Sequence, residues 1–283
     1  MKLTRFRVAD GPTLLGRVDG DHVTDLSGLG LGASLRALLP RLDELRDAIT
    51  GADGPGYPLT GVVLEAPVDD PQKFLGIGMN YRAHAEEARA AGIPVPTSQL
   101  WFNKQVSCLA GPYDAVHKPR VSDELDYEVE LGVVIGTPCR HVPVEEARSV
   151  IAGYLVGNDF SVRDWLHKRS PTFTLGKSFD THGPVGPWLT TADEVADPLA
   201  LRMRLTVNGE VRQDWTTGDM IYGIDDQIAY LSQVMTLMPG DILLTGTPSG
   251  IAAPTGRWLK AGDVVRAEIE GLGALENRVV DEP

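Results

Sequence analysis

The sequence predicts a strand-rich fold that also contains a few helices, and two observations lead to this prediction. Glycine and proline are frequent, with 31 and 20 residues in a chain of 283, which indicates many turns. Between these turns lie short runs of β-branched and apolar residues, many of which alternate with polar ones. Only a few segments carry the apolar spacing that is typical of an amphipathic helix.

Composition narrows the class of protein. The chain has 42% hydrophobic residues, enough to bury the core of one large domain, or of a large and a small one. A net charge of −13 and a pI near 4.9 argue against nucleic acid or an anionic membrane as a partner. Cys108 and Cys139 form no CxxC motif and predict neither a disulfide framework nor a zinc cluster. Since no signal peptide or membrane-spanning run is evident, we expect a cytoplasmic protein.

The first 68 residues predict a small N-terminal domain, followed by a larger domain over residues 69–283. Residues 2–8 predict a strand, residues 14–18 and 22–26 a hairpin, and residues 35–49 a helix with leucines at helical spacing. Residues 51–57 are rich in glycine and predict a loop.

The strongest signal for a site lies in the strand predicted over residues 125–136. Side chains alternate between the two faces of a strand, so Asp126, Glu128 and Glu130 are expected on one face. Crowded buried carboxylates repel one another, and a divalent cation that prefers oxygen ligands, such as Mg²⁺, Mn²⁺ or Ca²⁺, would relieve this. A solvated acidic edge strand is the alternative. The apolar run that follows, from Leu131 to Ile135, favours burial.

A second candidate lies on a helix predicted over residues 81–91, after the short strand at residues 74–78, with Asn80 as a possible cap. His84 and Glu87 are three residues apart and therefore share a face of this helix. A carboxylate beside an imidazole can make a general base that activates water, whereas a solvated pair on an exposed helix is the plainer interpretation.

Three further positions carry chemistry. Asp159 follows a short strand at residues 154–156 and is either a third metal ligand or a turn residue. Lys177 either faces an anionic substrate or lies on the surface. The glycine-rich loop at residues 246–250 could offer backbone N–H groups to an anion, or could be a plain connection.

The remaining elements are mostly strands. Residues 100–106 predict a strand, and residues 201–207 and 210–215 predict a hairpin whose Asn208-Gly209 turn is typical of type I′. Helices are predicted over residues 143–154 and 224–238, the second stopped by Pro239-Gly240. Strands at 241–245, 264–270 and 276–280 complete the chain.

Six motifs in order resemble the fumarylacetoacetate hydrolase family: GMNYRAH at 78–84, LDYEVEL at 125–131, NDFSVRD at 158–164, GKSFDT at 176–181, PGD at 239–241 and TGTPSG at 245–250. The resemblance runs from about residue 74 to the C-terminus. The N-terminal region resembles the accessory domain that many members carry.

This resemblance implies an α+β fold, a mixed β-sandwich or β-roll with a small N-terminal αβ domain, usually as a homodimer. It implies a divalent metal, commonly Mg²⁺, held by Glu128, Glu130 and Asp159. It also implies that His84 and Glu87 form a water-activating dyad and that Lys177 takes part in catalysis. Four further residues would lie near the substrate: Arg163, Thr247, Gly246 and Tyr81.

The expected reaction is hydrolytic C–C cleavage of a 2,4-diketo acid of the acylpyruvate or fumarylpyruvate type, yielding pyruvate and a carboxylic acid. The presence of both His84 and Glu87 favours hydrolysis over two alternatives that use the same metal-enolate chemistry, namely oxaloacetate decarboxylation and isomerisation or hydration of a 2-hydroxy-diene-dioate. A catalytically weak binding or scaffold protein is the third alternative. Leu166 stands where the family often has Gln, and His182 where it commonly has an apolar or aromatic residue, so both positions bear on substrate choice.

Overall fold

The computed structural model describes residues 1–90, 92–169 and 172–283. The strands are β1 (Lys2–Arg7), β2 (Leu14–Asp19), β3 (His22–Asp25), β4 (Gly56–Pro58), β5 (Val63–Glu65), β6 (Phe74–Gly78), β7 (Leu100–Lys104), β8 (Leu109–Ala110), β9 (Val116–Lys118), β10 (Leu125–Asp126), β11 (Val129–Ile135), β12 (Ile151–Asn158), β13 (Ser161–Val162), β14 (Gly183–Thr191), β15 (Arg202–Val207), β16 (Glu210–Thr216), β17 (Ile242–Leu244), β18 (Val264–Ile269) and β19 (Gly273–Asp281). The α-helices are α1 (Leu35–Leu38), α2 (Leu42–Thr50), α3 (Arg82–Ala90), α4 (Phe173–Gly176) and α5 (Ile224–Val234).

Two sheets face each other and confirm the predicted α+β fold. The larger sheet has the order β4-β3-β2-β1-β14-β12-β11-β17-β6-β7, with β5 beside β1 and β8 beside β14. The smaller sheet has the order β16-β15-β18-β19-β9. One core packs between them, in which Val133 and Tyr154 of the larger sheet meet Leu205, Val265 and Leu275 of the smaller. The site described below lies at the edge of this core, where β11 begins and β12 ends.

The N-terminal region continues the larger sheet. Strand β1 pairs with β14 in antiparallel register, Leu3 opposite Leu189, and both residues lie in a second apolar core together with Phe74 and Val134. Residues 1–68 therefore share hydrogen bonds and buried surface with the rest of the chain. The domain boundary near residue 68 stays a prediction.

Two predicted helices are shorter than expected. The segment 35–49 is divided by a 3₁₀ turn, Leu39–Arg41, because Pro40 has no N–H group and its ring clashes with the preceding helical turn. The segment 224–238 is helical only to Val234, since Met235 already has an extended backbone before Pro239 is reached. The predicted helix 81–91 is observed as α3, and Ala91 lies outside the described residues.

The prediction of a helix over residues 143–154 is wrong beyond its first turns. Pro143 and the acidic pair Glu145 and Glu146 do begin a helical segment, but it is a 3₁₀ helix that ends at Val150. Strand β12 begins at Ile151 and is buried at every position, so pairing with β11 and β14 outweighs the local helical signal. The predicted hairpin at Asn208-Gly209 is confirmed, with φ of 52° and 80° at the two turn residues.

Candidate metal and catalytic site

The predicted carboxylates meet where the sheet loses its regular pairing. The expected single strand is interrupted between β10 and β11, and Tyr127 and Glu128 lie in that gap. There the Glu128 N–H bonds to the Asn158 side chain, while the Asp159 N–H donates to the Glu128 carbonyl at 2.9 Å. Glu128, Glu130 and Asp159 are buried, and each offers an oxygen within 4.8 Å of the others.

The third carboxylate of the acidic face has a different role. Asp126 is fully buried and accepts hydrogen bonds from the backbone N–H groups of Ala252 and Ala253 at 2.7 and 3.1 Å. It also accepts the Tyr127 N–H at 2.8 Å and contacts the Arg163 guanidinium, whose Nε lies 2.8 Å from Asp126 Oδ2 and whose Nη2 bonds to Glu128. Asp126 therefore orients Arg163 toward the cluster.

Two buried lysines compensate the cluster. Lys177 Nζ lies 2.6 Å from both Glu128 Oε2 and Asp159 Oδ2. Lys104 Nζ lies 2.6 Å from the other oxygen of Asp159 and also donates to the Lys177 and His182 carbonyls. Each oxygen of Asp159 thus bonds to an ammonium group, and Lys104 fixes the backbone that carries Lys177.

The carboxylates titrate differently because their partners differ. Burial alone would raise the pKa of Glu128, but the charges of Lys177 and Arg163 outweigh it and lower that pKa to about 2. Burial, followed by the negative charges of Asp159 and Glu128, raises the pKa of Glu130 well above its ordinary range. Among the described residues, Glu130 has no salt-bridge partner, and its Oε2 accepts the Gly246 N–H at 2.6 Å.

This donor set fits a hard divalent cation. Carboxylate oxygens are the ligands that Mg²⁺, Mn²⁺ and Ca²⁺ prefer, and all three carboxylates converge on one centre. Burial, followed by the negative charges of Asp159 and Glu128, raises the pKa of Glu130, and a cation of charge two would stabilise its ionised form.

The predicted dyad lies on α3, which follows β6 directly. His84 Nδ1 is 3.2 Å from Glu87 Oε2, and both side chains line a cavity of about 400 Å³ together with Glu128, Glu130 and Lys177. The start of α3 is held from a distant part of the chain, since the Ala83 N–H donates to Asp219 Oδ2 at 3.0 Å. Asn80, predicted as the cap, instead bonds to Tyr222 and to the Thr245 carbonyl.

The structure separates the four residues expected near the substrate. Arg163 and Thr247 line the cavity. The Thr247 hydroxyl donates to the Val129 carbonyl and accepts from Gln213 Nε2, both at 2.9 Å. Tyr81 is fully buried in the core, with its hydroxyl 3.2 Å from Met203 Sδ, and the Gly246 N–H is engaged by Glu130. Neither Tyr81 nor Gly246 is on the cavity wall, and their contact with substrate stays a prediction without support from this geometry.

Sequence reasoning missed two residues of the site. Lys104 ends β7, where Phe102 and Lys104 face inward and Asn103 outward, so a lysine at an inward position of an alternating strand was the available signal. Gln213 is buried in the smaller sheet and reaches across to the Val129 N–H and to Thr247. No local pattern marks Gln213, because its partners are more than thirty residues away.

Leu166 and His182, the two positions that depart from the family pattern, do not line the cavity either. Leu166 is buried and packs so closely against Gly176 that a Cβ there would lie 2.7 Å from Leu166 Cδ2. His182 is fully buried, donates from Nε2 to the His117 carbonyl at 2.8 Å and lies between the rings of Phe160 and Phe179. Each of them can influence substrate only through the residues that it supports.

Comparison with known proteins places these features in a family. The model of the fumarylacetoacetate hydrolase C-terminal domain matches residues 73–280. The fumarylacetoacetate hydrolase domain-containing protein 2 homolog of Dictyostelium discoideum is 44% identical over 234 residues, which covers 78% of this chain and 75% of that protein.

Solved structures extend the likeness to the whole chain. The crystal structure of maleylpyruvate hydrolase from Sphingobium sp. SYK-6, in complex with manganese(II) and pyruvate, has a TM-score of 0.86, 36% identity and full coverage of both chains. The 2-hydroxyhepta-2,4-diene-1,7-dioate isomerase of Mycobacterium marinum has a TM-score of 0.79 and 32% identity, with 100% of this chain and 99% of that one covered.

In the described part of the chain, no helix has the length and hydropathy needed to cross a membrane.

Proposed function

The chain belongs to the fumarylacetoacetate hydrolase family, and from this premise we propose that it hydrolyses a C–C bond in 2,4-diketo acids of the acylpyruvate type, with Mg²⁺ or Mn²⁺ as cofactor. One observation carries this proposal: the His84–Glu87 pair lines the same cavity as Glu128 and Glu130 of the carboxylate cluster. Hydrolysis needs a water to be activated beside a stabilised enolate, and this cavity offers groups for both tasks.

Glu128, Glu130 and Asp159 would hold the cation. When bound, a divalent cation supplies Lewis acidity at the carboxylate and 2-keto oxygens of the substrate. Lys104 orients Asp159 and Arg163 orients Glu128, so buried cations position two of the three proposed ligands.

The dyad is suited to proton transfer. The contact of His84 Nδ1 with Glu87 leaves Nε2 able to take a proton from water, and the carboxylate stabilises the imidazolium that forms. The water oxygen attacks the 4-carbonyl carbon, the C3–C4 bond breaks, and its electron pair remains on C3 as the enolate of pyruvate. A proton then returns to C3, which leaves pyruvate and a carboxylic acid.

Lys177 contributes charge at the other end of the reaction. Its ammonium group is buried, lines the cavity and can donate to an oxygen that becomes negative as the C3–C4 bond breaks. Phe102, whose ring lies 5.1 Å from Lys177 Nζ, keeps water from this group.

A related isomerase is a second candidate, because the structure of a 2-hydroxyhepta-2,4-diene-1,7-dioate isomerase resembles this chain over its whole length. Isomerisation moves a proton between carbons of an unsaturated 2-keto acid and consumes no water. The dyad would serve either reaction, so products must distinguish them.

The proposed homodimer can be tested separately by light scattering of the purified protein.

The first experiment follows the loss of enol absorbance of acetylpyruvate and fumarylpyruvate, with the protein treated with EDTA and again after Mg²⁺ is restored. We expect metal-dependent loss, with pyruvate formed in equal amount to the substrate consumed. Absorbance loss without pyruvate would favour isomerisation. No reaction with either substrate in a protein shown to bind Mg²⁺ would contradict the proposal.

A further inference from the structure

The cavity changes character with distance from the carboxylate cluster. Beyond Lys177 its wall is apolar and begins at Phe102, which packs against Phe173 with ring centroids 5.5 Å apart. Ile251, Pro254 and Trp258 continue this wall. We call this part, defined by Phe102, Phe173, Ile251, Pro254 and Trp258, the apolar wall. A cavity of about 400 Å³ exceeds what the pyruvoyl part of a substrate alone would fill, so the acyl group would lie against the apolar wall.

The charges around the apolar wall are already paired. Among the described residues that line the cavity, the lysines and arginine are Arg163, Lys168 and Lys177, and each of them bonds to a carboxylate. Arg163 and Lys177 serve the cluster. Lys168 lies toward the exposed rim, where its Nζ is 2.5 Å from Glu124 Oε1.

Two features at the rim disfavour an anion there. Glu124 lines the cavity and holds Lys168, so this lysine is not free to pair with a second carboxylate on the substrate. Burial and the charge of Arg163 lower the pKa of His167, so this imidazole is neutral near pH 7 and adds no positive charge. A carboxylate moved from water to this wall would lose hydration without gaining a free cationic partner.

We propose that the site takes acylpyruvates whose acyl group is apolar and discriminates against those that end in a second carboxylate. This inference rests on the proposed function for the position of the pyruvoyl end. It separates this chain from maleylpyruvate hydrolase, whose named substrate carries a carboxylate at the far end.

Binding of two matched acids tests the preference without turnover. 2-Oxohexanoate and 2-oxoadipate have the same backbone and differ by a methyl against a carboxylate at the end, and neither has the 4-carbonyl that cleavage requires. Titration calorimetry with the Mg²⁺-loaded full chain gives both dissociation constants. We expect 2-oxohexanoate to bind at least about tenfold more tightly, the scale on which an apolar pocket discriminates.

The Glu124→Gln variant tests the cause of the preference. It removes the charge that pairs with Lys168 and frees this exposed lysine to meet the second carboxylate. The selectivity ratio should then fall to about threefold or less, as expected for an ion pair with one exposed partner. Lys168→Met is the matched control and should leave the ratio at or above the wild-type value, because that lysine is already neutralised.

The outcomes separate the two proposals. Equal binding of both acids, tighter binding of 2-oxoadipate, or no measurable binding of either would overturn the preference for an apolar acyl group. A failure to cleave acetylpyruvate, together with the expected ratio for the two acids, would overturn the reaction and leave the preference standing.

Discussion

The carboxylate cluster and the His84–Glu87 dyad face one cavity but are held in opposite ways. Glu128, Glu130 and Asp159 are buried at the ends of paired strands, where buried cations and backbone N–H groups fix their oxygens. The dyad lies on nine-residue α3, and Glu87 is 28% exposed. The difference follows from the chemistry. Dense charge must be compensated on every side by a rigid frame, whereas a proton acceptor needs one partner and access to water.

Asp159→Ala should have the largest effect, because it removes a proposed metal ligand and the one carboxylate that both Lys104 and Lys177 contact. We expect loss of detectable Mn²⁺ binding by electron paramagnetic resonance, loss of activity, and a free energy of unfolding lowered by about 3–5 kcal/mol, as for other broken buried ion pairs.

The matched control for that variant is Asp123→Ala. Asp123 is also paired with a lysine, Lys118, but its side chain is 92% exposed. We expect its stability and Mn²⁺ affinity to match the wild type, since exposed pairs contribute little. If Asp159→Ala behaved like this control, buried ion pairs would not be what holds the cluster rigid.

His84→Gln should have the next largest effect and should distinguish the contribution of the dyad from that of the carboxylate cluster. The expected result is a loss of roughly 10²–10⁴-fold in kcat, because the proposed proton acceptor is gone, with Mn²⁺ affinity unchanged. Glu86→Gln, two residues further along α3 and exposed, is the control and should retain full activity. Full activity of His84→Gln would remove the dyad from the mechanism.

The sequence allowed the carboxylates of the cluster to be predicted, but only some of the residues that compensate their negative charge. Alternation along one strand identifies Glu128 and Glu130, since period-two geometry is local. It does not show that the strand breaks at Glu128, nor that Lys104 and Gln213 reach the site from other strands, because those contacts depend on sheet order. The dyad was accessible for the same reason as the two glutamates: residues three apart on a helix are neighbours. The predicted helix over residues 143–154 was wrong because its start signal acts only locally. From Ile151 onward, the pairing of β12 with β11 and β14 determines the structure.

His182→Gln should alter the acid stability of the frame behind the cluster. The His182 carbonyl accepts from Lys104, and burial lowers the pKa of its imidazole from 6.5 to about 3. Between these two pH values the unfolded chain binds a proton that the folded chain does not. The free energy of unfolding therefore falls by about 1.4 kcal/mol per pH unit as the pH drops below 6.5. The variant keeps a donor for the His117 carbonyl and removes the titration, so urea unfolding from pH 7 to 4 should show a shallower loss.

The control for this pH dependence is His22→Gln, which removes an exposed histidine on the first hairpin. It should follow the wild-type curve. If His182→Gln followed the wild-type curve as well, burial of a neutral imidazole would not explain the acid sensitivity of this region.

Asp219→Ala should have the smallest effect and tests how the dyad helix is held. Its carboxylate accepts the Ala83 N–H in the first turn of α3, and loss of such a cap costs about 1 kcal/mol. Because α3 carries the dyad and not the cluster, we expect kcat to fall severalfold while Mn²⁺ affinity stays constant. Asp219→Asn keeps an acceptor oxygen at the same place and should retain most of the activity. A loss of Mn²⁺ affinity in Asp219→Ala would mean that the helix and the cluster are mechanically coupled, and that the two halves of the cavity are not independent.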